Sequence, residues 1–226
     1  MHGKSHMSAA LLYRPALLLS ALLLATTAAA AAPPPATATG QAKAVLTRQK
    51  PQENVEKETV RIGRREFEVP PQWQGLRIEE KPPARKELAA VPRRLAKNHG
   101  LIFLRRDARD ALVAMAAEAG KEGVALTIDS GYRSIRYQKK IIARQLAQGK
   151  TFSRITRFVA PPGYSEHRTG TAVDFTPSNW RFAATPQYHW LTAHAASYGF
   201  TETYPENGHR HPWEPWHWRY RPVGHP

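Results

Sequence analysis

Two short segments, well separated along the chain, carry histidines and carboxylates in a pattern that restricts how the chain can fold. The first reads Ser-Glu-His-Arg-Thr-Gly-Thr-Ala-Val-Asp over residues 165–174, and the second reads Glu-Pro-Trp-His over residues 214–217. Two imidazoles and one carboxylate, from His167, Asp174 and His217, would leave the fourth position of a tetrahedral zinc ion open, which is typical of a catalytic site. The predicted fold must therefore bring these two segments together.

The spacing within the first segment predicts how its metal ligands are presented. Asp174 follows His167 by an odd number of residues, so one continuous strand would put the two side chains on opposite faces. We therefore expect His167 on a loop that enters a strand, Gly170 at the bend, and Asp174 on the strand itself. Val173 and Phe175 would then face the hydrophobic core.

The second segment supplies a further carboxylate next to its histidine. Pro215 argues against a helix around Glu214 and His217, so we expect an extended loop or an edge strand there. Glu214 could be a fourth ligand or a general base, and we favour the base because catalytic zinc keeps one position for water. Zinc would lower the pKa of that water, and Glu214 would take its proton and pass it to a leaving amine.

Composition limits the kind of metal site and the surroundings of the protein. The 226 residues can form one folded domain with additional N-terminal material, and none of them is cysteine. Disulfide frameworks and cysteine-based zinc sites are therefore excluded, and any metal must be held by histidine and carboxylate groups. The formal net charge of +15 favours polyanionic surroundings, but charge alone does not choose between nucleic acid, anionic lipid and cell-wall phosphates.

The N-terminus predicts the compartment. Residues 1–32 have the pattern of a secretory signal peptide, because Lys4 and Arg14 precede an apolar run that ends in small residues. An uncleaved membrane anchor is the alternative, but the leucine-rich part is short for a span of about 20 residues. We therefore expect an exported protein, in the periplasm, the cell wall or outside the cell, with no stable membrane span after cleavage. Export makes envelope anions, and not nucleic acid, the expected partners of the basic surface.

The rest of the chain divides into three parts. Residues 33–59 are first rich in proline, alanine and threonine and then polar, which predicts a disordered linker. Residues 60–95 alternate around Gly63 as a short hairpin would, and this N-terminal extension could pack against the domain or form an exposed arm. Residues 96–226 are predicted to form a single α+β domain, with a small antiparallel sheet flanked by helices.

Apolar periodicity and capping residues predict the elements of that domain. Three helices are predicted: one that Asp107 caps and Gly120 ends, one that Ser134 caps and Gly149 ends, and one from Pro186 to Gly199. A strand is predicted through Val124, Leu126 and Ile128, and two further strands are predicted at about residues 200–203 and 215–220. In the helix that Ser134 caps, we expect Ile135, Ile142 and Leu146 to face inward.

The two metal segments also resemble a known family. The pattern Ser-x-His-x-x-Gly-x-Ala-x-Asp over residues 165–174, followed by Glu-x-Trp-His over residues 214–217, is similar to the signature of the D-alanyl-D-alanine carboxypeptidase family of zinc peptidases. The resemblance is strongest to the VanY-like and LD-carboxypeptidase branch. The sequence Ser-Gly-Tyr-Arg-Ser over residues 130–134, together with Gln138, resembles an upstream motif of the same family. The similarity covers roughly residues 101–223.

This resemblance implies a zinc carboxypeptidase that acts on peptidoglycan stem peptides and releases a terminal D-amino acid. We expect one zinc ion per chain, from the single open-site ligand pattern, and a monomeric protein. The resemblance also implies that Arg133 holds the terminal carboxylate of the substrate and that Gln138 and Ser165 support the same substrate end. Composition alone allows another interpretation of Arg133, in which it pairs with a structural acid. Tyr204 could line the pocket or could equally be a half-buried structural tyrosine.

Other functions stay open at this stage. A peptidoglycan endopeptidase could use the same fold, because loop shapes decide which bond is cut, and the choice between DD- and LD-carboxypeptidase depends on the same loops. A non-catalytic peptidoglycan-binding module would be expected to have lost Glu214 or a metal ligand, and all of these residues are present. His209 and His211 lie close to the second segment but lack a partner motif, so no role is predicted for them.

Overall fold

The computed structural model of the chain describes residues 57–222. The predicted signal peptide and nearly all of the predicted linker lie outside the described residues, so both stay predictions. None of the helices between these limits combines the length and the apolar character required to cross a bilayer.

Helices and strands alternate irregularly along this range. The α-helices are α1 (Arg106–Lys121), α2 (Ile135–Ala147), α3 (Phe152–Ile155) and α4 (Pro186–His194). The strands are β1 (Thr59–Ile62), β2 (Arg65–Glu68), β3 (Leu88–Ala90), β4 (Phe103–Arg105), β5 (Ile128–Ser130), β6 (Ala172–Phe175), β7 (Phe200–Glu202) and β8 (His217–Tyr220). Short 3₁₀ turns lie at Arg85–Glu87, Arg93–Leu95, Lys97–His99, Glu166–Thr169, Trp180–Ala184 and Ala195–Tyr198.

A four-stranded antiparallel sheet in the order β5-β6-β8-β7 forms the centre of the domain. In its register, Asp174 of β6 lies opposite His217 of β8 on one side and opposite Ser130 of β5 on the other. Because side chains alternate along a strand, Val173 and Phe175 point into the core on the other face. The predicted α+β fold with a small antiparallel sheet is confirmed, although β8 is an interior strand and not an edge strand.

One face of α1 supplies much of the main core. Ala108, Leu112, Met115 and Ala119 recur at helical spacing and are almost completely buried, in the same cluster as Phe175 and other side chains of the sheet. Burying a large apolar side chain contributes about 1.5–3 kcal/mol. This packing, more than intrinsic helix propensity, therefore holds α1 in place against the domain.

The end of α1 explains why the following strand is shorter than predicted. Gly123 has a φ of +77°, and the amide of Val124 donates to the carbonyl of Ala119 at 2.9 Å. This is a Schellman cap, which places the glycine stop at residue 123 instead of Gly120. The amide of Val124 is therefore not available to the sheet, and the observed strand covers only Ile128–Ser130.

The predictions for α2 and α4 meet different outcomes. The side chain of Ser134 accepts from the amide of Tyr137 at 3.1 Å, so the predicted cap is confirmed. The inward position predicted for Ile135 is wrong, because its side chain is 38% exposed. Helix α4 ends at His194, and a 3₁₀ turn then continues to Gly199, whose φ is +77°.

The N-terminal extension packs against the domain. Strands β1 and β2 form the predicted hairpin, with Gly63 in the turn at a φ of +61°. Val60 and Ile62 lie in a second core cluster with Ile142 of α2 and Phe152 of α3. Strand β3 pairs with β4, so a two-stranded sheet joins the extension to the residues that follow it. The tertiary structure thus decides a choice that the sequence left open.

Candidate active site

Three buried side chains converge at the ends of β6 and β8. The ligand-type atoms of His167, Asp174 and His217 all lie within 4.8 Å of one another. His167 lies in the 3₁₀ turn that precedes β6, Asp174 lies on β6, and His217 is the first residue of β8. Gly170 ends that turn with a φ of +77°, which is the bend that the sequence predicts.

Hydrogen bonds orient both imidazoles of this trio. The Nδ1–H of His167 donates to the carbonyl of Gly131 at 2.8 Å, which leaves Nε2 directed at the carboxylate of Asp174. The Nε2 of His217 lies 3.0 Å from Glu166 Oε2, and its Nδ1 lies 2.9 Å from Asp174 Oδ1. If each outer nitrogen carries the proton, each inner nitrogen presents a lone pair to the centre of the trio.

Glu166 is a site residue for which the sequence analysis predicted no role. Its oxygens accept from His217 and from the Nη1 of Arg219, the latter at 3.1 Å, and Arg219 also pairs with Glu80 of the extension at 2.7 Å. Burial alone would raise the pKa of Glu166. The hydrogen bond and the charge of His217, together with the charge of Arg219, outweigh burial and lower this pKa to about 2. Its position next to a predicted ligand was the only available signal.

Glu214 lies beside the trio in a narrow cleft. The turn that carries it is fixed by backbone hydrogen bonds from Glu214 to the carbonyl of Tyr204 at 3.0 Å and from His217 to the carbonyl of Glu214 at 2.9 Å. Burial raises the pKa of the Glu214 carboxyl to about 7, with the charge of His217 acting in the opposite direction. A pKa near 7 suits a group that must accept a proton and then return it.

Arg133 reaches the same cleft from the segment after β5. Its backbone amide donates to the carbonyl of His167 at 3.0 Å, and its Nη2 lies 3.6 Å from Asp174 Oδ2. Its buried Nε has no hydrogen-bond partner within residues 57–222. The guanidinium therefore borders the trio and still has a donor available.

The other predicted site residues occupy different positions. Ser165 and Tyr204 line the cleft, and the Tyr204 ring lies 5.0 Å from that of His217. Gln138 is buried, and its amide donates at 2.8 Å to the carbonyl of Ala160, which is itself part of the cleft wall. Gln138 thus supports the wall, whereas Ser165 and Tyr204 form it.

One wall residue comes from outside the predicted domain. Trp73 of the extension lines the cleft, and its Nε1–H donates to the carbonyl of Thr156 at 2.7 Å. The sequence offered no signal for this contact, because Trp73 belongs to no motif and lies far from the metal segments.

Two histidines and a carboxylate beside an acid with a pKa near 7 form the arrangement expected of a metal-dependent hydrolase. The family model for VanY, D-alanyl-D-alanine carboxypeptidase, matches residues 101–223, which is more than half of the chain. The chain belongs to the VanY family of D-alanyl-D-alanine carboxypeptidases.

Individual relatives match the same part of the chain. The protein YodJ of Bacillus subtilis (strain 168) is 38% identical over 127 residues, which cover 52% of this chain and 46% of YodJ. A D-alanyl-D-alanine carboxypeptidase of Enterococcus faecium is 30% identical over 128 residues, which cover 55% of this chain and 39% of that protein. The chain thus spans less than half the length of these curated relatives.

Solved structures show a partial likeness. The structure of VanYB in complex with D-alanine-D-alanine is 28% identical, with 62% of this chain and 81% of that chain covered and a TM-score of 0.46. A structure of the vancomycin resistance D,D-pentapeptidase VanY with Zn(II) is 26% identical, with 64% and 85% covered and a TM-score of 0.48. The family assignment rests on the sequence match.

Proposed function

We propose that this protein is a zinc-dependent carboxypeptidase that releases a terminal D-amino acid from peptidoglycan stem peptides. Family membership and the name of the Enterococcus faecium relative support the reaction class. The observation that carries the proposal is the convergence of His167, Asp174 and His217 beside Glu214 in one cleft.

The trio fits one zinc ion. The buried Nε2 of His167 lies 3.1 Å from Asp174 Oδ2 but makes no hydrogen bond within the described part of the chain. With the proton on Nδ1, both atoms are acceptors, as two ligands of one metal ion would be. Two nitrogens and one oxygen aimed at a common point, with no competing thiolate in the chain, are a ligand set that suits zinc with an open position. Zinc held there would supply Lewis-acid activation of water and of a peptide carbonyl.

The side chains around the trio divide the remaining work. Glu214 takes the proton of the attacking water and returns it to the leaving amine, as its position and its pKa near 7 allow. Arg133 binds the terminal carboxylate of the substrate through its planar fork. Glu166 and the Gly131 carbonyl hold the imidazoles in the tautomers that face the trio. Ser165 and Tyr204 complete the wall of the cleft, and Gln138 supports it.

The location and organisation of the chain are part of the same proposal. A substrate in the cell wall requires export, for which residues 1–32 would be the cleaved signal and residues 33–59 a linker. The exported protein would act as a monomer, and its excess of lysine and arginine would bind anionic wall or envelope polymers. The catalytic domain would comprise residues 96–226, with residues 60–95 as an extension on its surface.

Digestion of defined muropeptides tests the function. Zinc-loaded protein is incubated with tetrapeptide and pentapeptide muropeptides, and the products are weighed by mass spectrometry. We expect loss of a single terminal D-alanine from at least one of the two, with Glu214→Ala as the inactive control. Internal fragments would identify an endopeptidase instead, and intact substrates with zinc-loaded protein would contradict a catalytic function.

A further inference from the structure

A second cavity, with a volume of about 210 Å³, adjoins the catalytic cleft. Trp73, Glu166 and Tyr204 line both spaces, so the two spaces are direct neighbours. The remaining walls come from the extension, from the segment before His167 and from the connection between β7 and β8. They are Leu76, Ile78, Tyr164, Thr203, Arg210 and His211.

This cavity adjoins the Tyr204 side of the metal trio, whereas Arg133 lines the catalytic cleft and not the cavity. Arg133 is joined to the His167 side, because its amide donates to the His167 carbonyl at 3.0 Å. On the other side, the Tyr204 ring packs 5.0 Å from the His217 ring, and the Trp73 ring follows at 6.4 Å from that of Tyr204. A peptide with its terminal carboxylate at Arg133 and its scissile bond at the trio would therefore extend towards the second cavity.

The cavity carries a positive charge that no acid of residues 57–222 neutralises. Arg210 is fixed by donating from Nε to the carbonyl of Gln72 at 3.0 Å and from Nη2 to the carbonyl of Gln74. No ion pair within residues 57–222 includes Arg210, and the lining acid Glu166 is already paired with Arg219 at 3.1 Å. An acidic ligand would complement this charge.

The neighbouring groups suit the rest of such a ligand. The ring of His211 lies 4.2 Å from that of Trp73, and its buried Nδ1 has no hydrogen-bond partner among the described residues. Trp73 and Tyr204, whose rings line the cavity, offer apolar contact for the aliphatic part of a side chain.

We propose that this cavity is a substrate subsite that accepts the carboxylate of an acidic residue on the N-terminal side of the scissile bond. The inference rests on the proposed carboxypeptidase function. Two of its walls, Trp73 and the segment of Leu76 and Ile78, lie outside the family match at residues 101–223, so this chain builds the subsite with its own extension. The extension thereby contributes to substrate selection.

Two acetylated peptides test the subsite, identical in their D-Ala-D-Ala ends and differing only in a glutamate or a glutamine immediately upstream. For wild type, we expect a KM about fivefold lower for the glutamate peptide than for the glutamine peptide, with a similar kcat. A difference of this size is what a partly exposed ion pair can contribute. The Arg210→Gln variant should lose this preference. The matched control is Arg181→Gln, since Arg181 is an exposed arginine that stacks on Trp180, and it should keep the preference.

The ratio of the two KM values separates recognition from folding, because a structural defect would weaken both peptides alike. If Arg210→Gln proves too unstable to assay, Arg210→Lys is tested in its place. Because this variant keeps the charge, it should retain part of the preference. An equal KM for both peptides in wild type, or an unchanged preference in Arg210→Gln, would overturn the subsite. If neither peptide is cut, DD-carboxypeptidase activity is excluded, and calorimetric titration with both peptides then decides the subsite by the same ratio.

Discussion

Two glutamates of one cleft have pKa values that differ widely because their neighbours differ. Glu166 accepts from His217 and Arg219, so it stays ionised down to about pH 2 despite its burial. Glu214 is also shielded from water but has no such pair of donors among residues 57–222, and its pKa is about 7. Such a division of carboxylates supports the proposed roles, which are orientation of His217 for Glu166 and proton transfer for Glu214.

Removal of the Glu214 carboxylate should abolish hydrolysis without releasing the metal. We expect Glu214→Ala to lower kcat/KM by roughly 10²–10⁴-fold, the range for a general acid–base group, with zinc content unchanged. Kinetic assay and metal analysis of the same preparation check this. Loss of zinc would make Glu214 a ligand, and near-normal turnover would assign proton transfer to another group.

The role of Arg133 can be isolated by removing its proposed partner from the substrate. Amidation of the peptide C-terminus should impair wild type by about ten- to a hundredfold, since a hydrogen bond to a charged group contributes about 1.5–3 kcal/mol. Arg133→Ala should be impaired far less by amidation, because it has already lost the contact. Arg133→Lys keeps the charge but lacks the fork, so it should not restore full activity.

The kcat/KM values of wild type and Arg133→Ala on both substrates complete this cycle. If wild type cuts the amidated peptide as fast as the free acid, the protein does not recognise a terminal carboxylate. An endopeptidase would then be the better assignment.

At the scale of elements, strand register assembles the site. Asp174 and His217 lie directly opposite each other on β6 and β8, and the interior face of β6 is buried. A slip by one residue would turn Asp174 into the core and Val173 towards the metal position. The apolar pattern that specifies the core therefore also specifies the metal site.

The segment after β5 is equally constrained, and Gly131 provides a test. A Cβ at Gly131 would lie 2.6 Å from Ile102 and 2.7 Å from the carbonyl of Phe103, so the backbone would have to move. Since its carbonyl accepts from His167, we expect Gly131→Ala to cost about 1–3 kcal/mol of stability and to weaken zinc binding. Urea unfolding and zinc titration measure the two effects.

Gly120 offers the matched control for this substitution. It lies inside α1, and a Cβ there would meet no atom within 4 Å. Gly120→Ala should therefore raise stability by about 0.4–1 kcal/mol and leave zinc affinity unchanged. Equal zinc affinity in both variants would show that the position of the Gly131 carbonyl does not matter to the site.

At the scale of the whole molecule, the metal site and the extension join parts of the chain that are distant in sequence. The candidate ligands come from two separate segments, and the amide of Ile78 in the extension donates to the carbonyl of Gly163 just before the first of them. Arg168, within the first metal segment, donates to the carbonyl of Glu80 at 2.6 Å. Ligation should therefore stabilise the entire fold.

Metal removal should lower the thermal stability of wild type but not that of His167→Ala. Zinc at about 100 times its Kd would add roughly 2.7 kcal/mol to the free energy of unfolding, so a chelator should reduce Tm by several degrees. His167→Ala should lack stoichiometric zinc, and its Tm should not respond to the chelator. Metal analysis and thermal scans check both, and stoichiometric zinc in His167→Ala would contradict the ligand set.

Local patterns in the sequence were sufficient to predict the candidate ligands and much of the secondary structure. The odd spacing of His167 and Asp174 predicted a turn followed by a strand, and Ser134 predicted the start of α2, because alternation and capping depend on neighbours within a few residues. The same rules misplaced the end of α1, where Gly120 and Gly123 both fit a stop signal and only the hydrogen bonds of the cap distinguish them.

Contacts between distant segments were decided only by the tertiary structure. Nothing near Trp73 or Glu80 in the sequence indicates the cleft, and no local rule pairs Glu166 with Arg219. These contacts form because burying the apolar face of the extension against α2 and α3 fixes where its polar and aromatic side chains lie. The sequence by itself thus determined the candidate metal ligands and the family motif, whereas the packing of the extension determined the shape and the charge of the surrounding cleft.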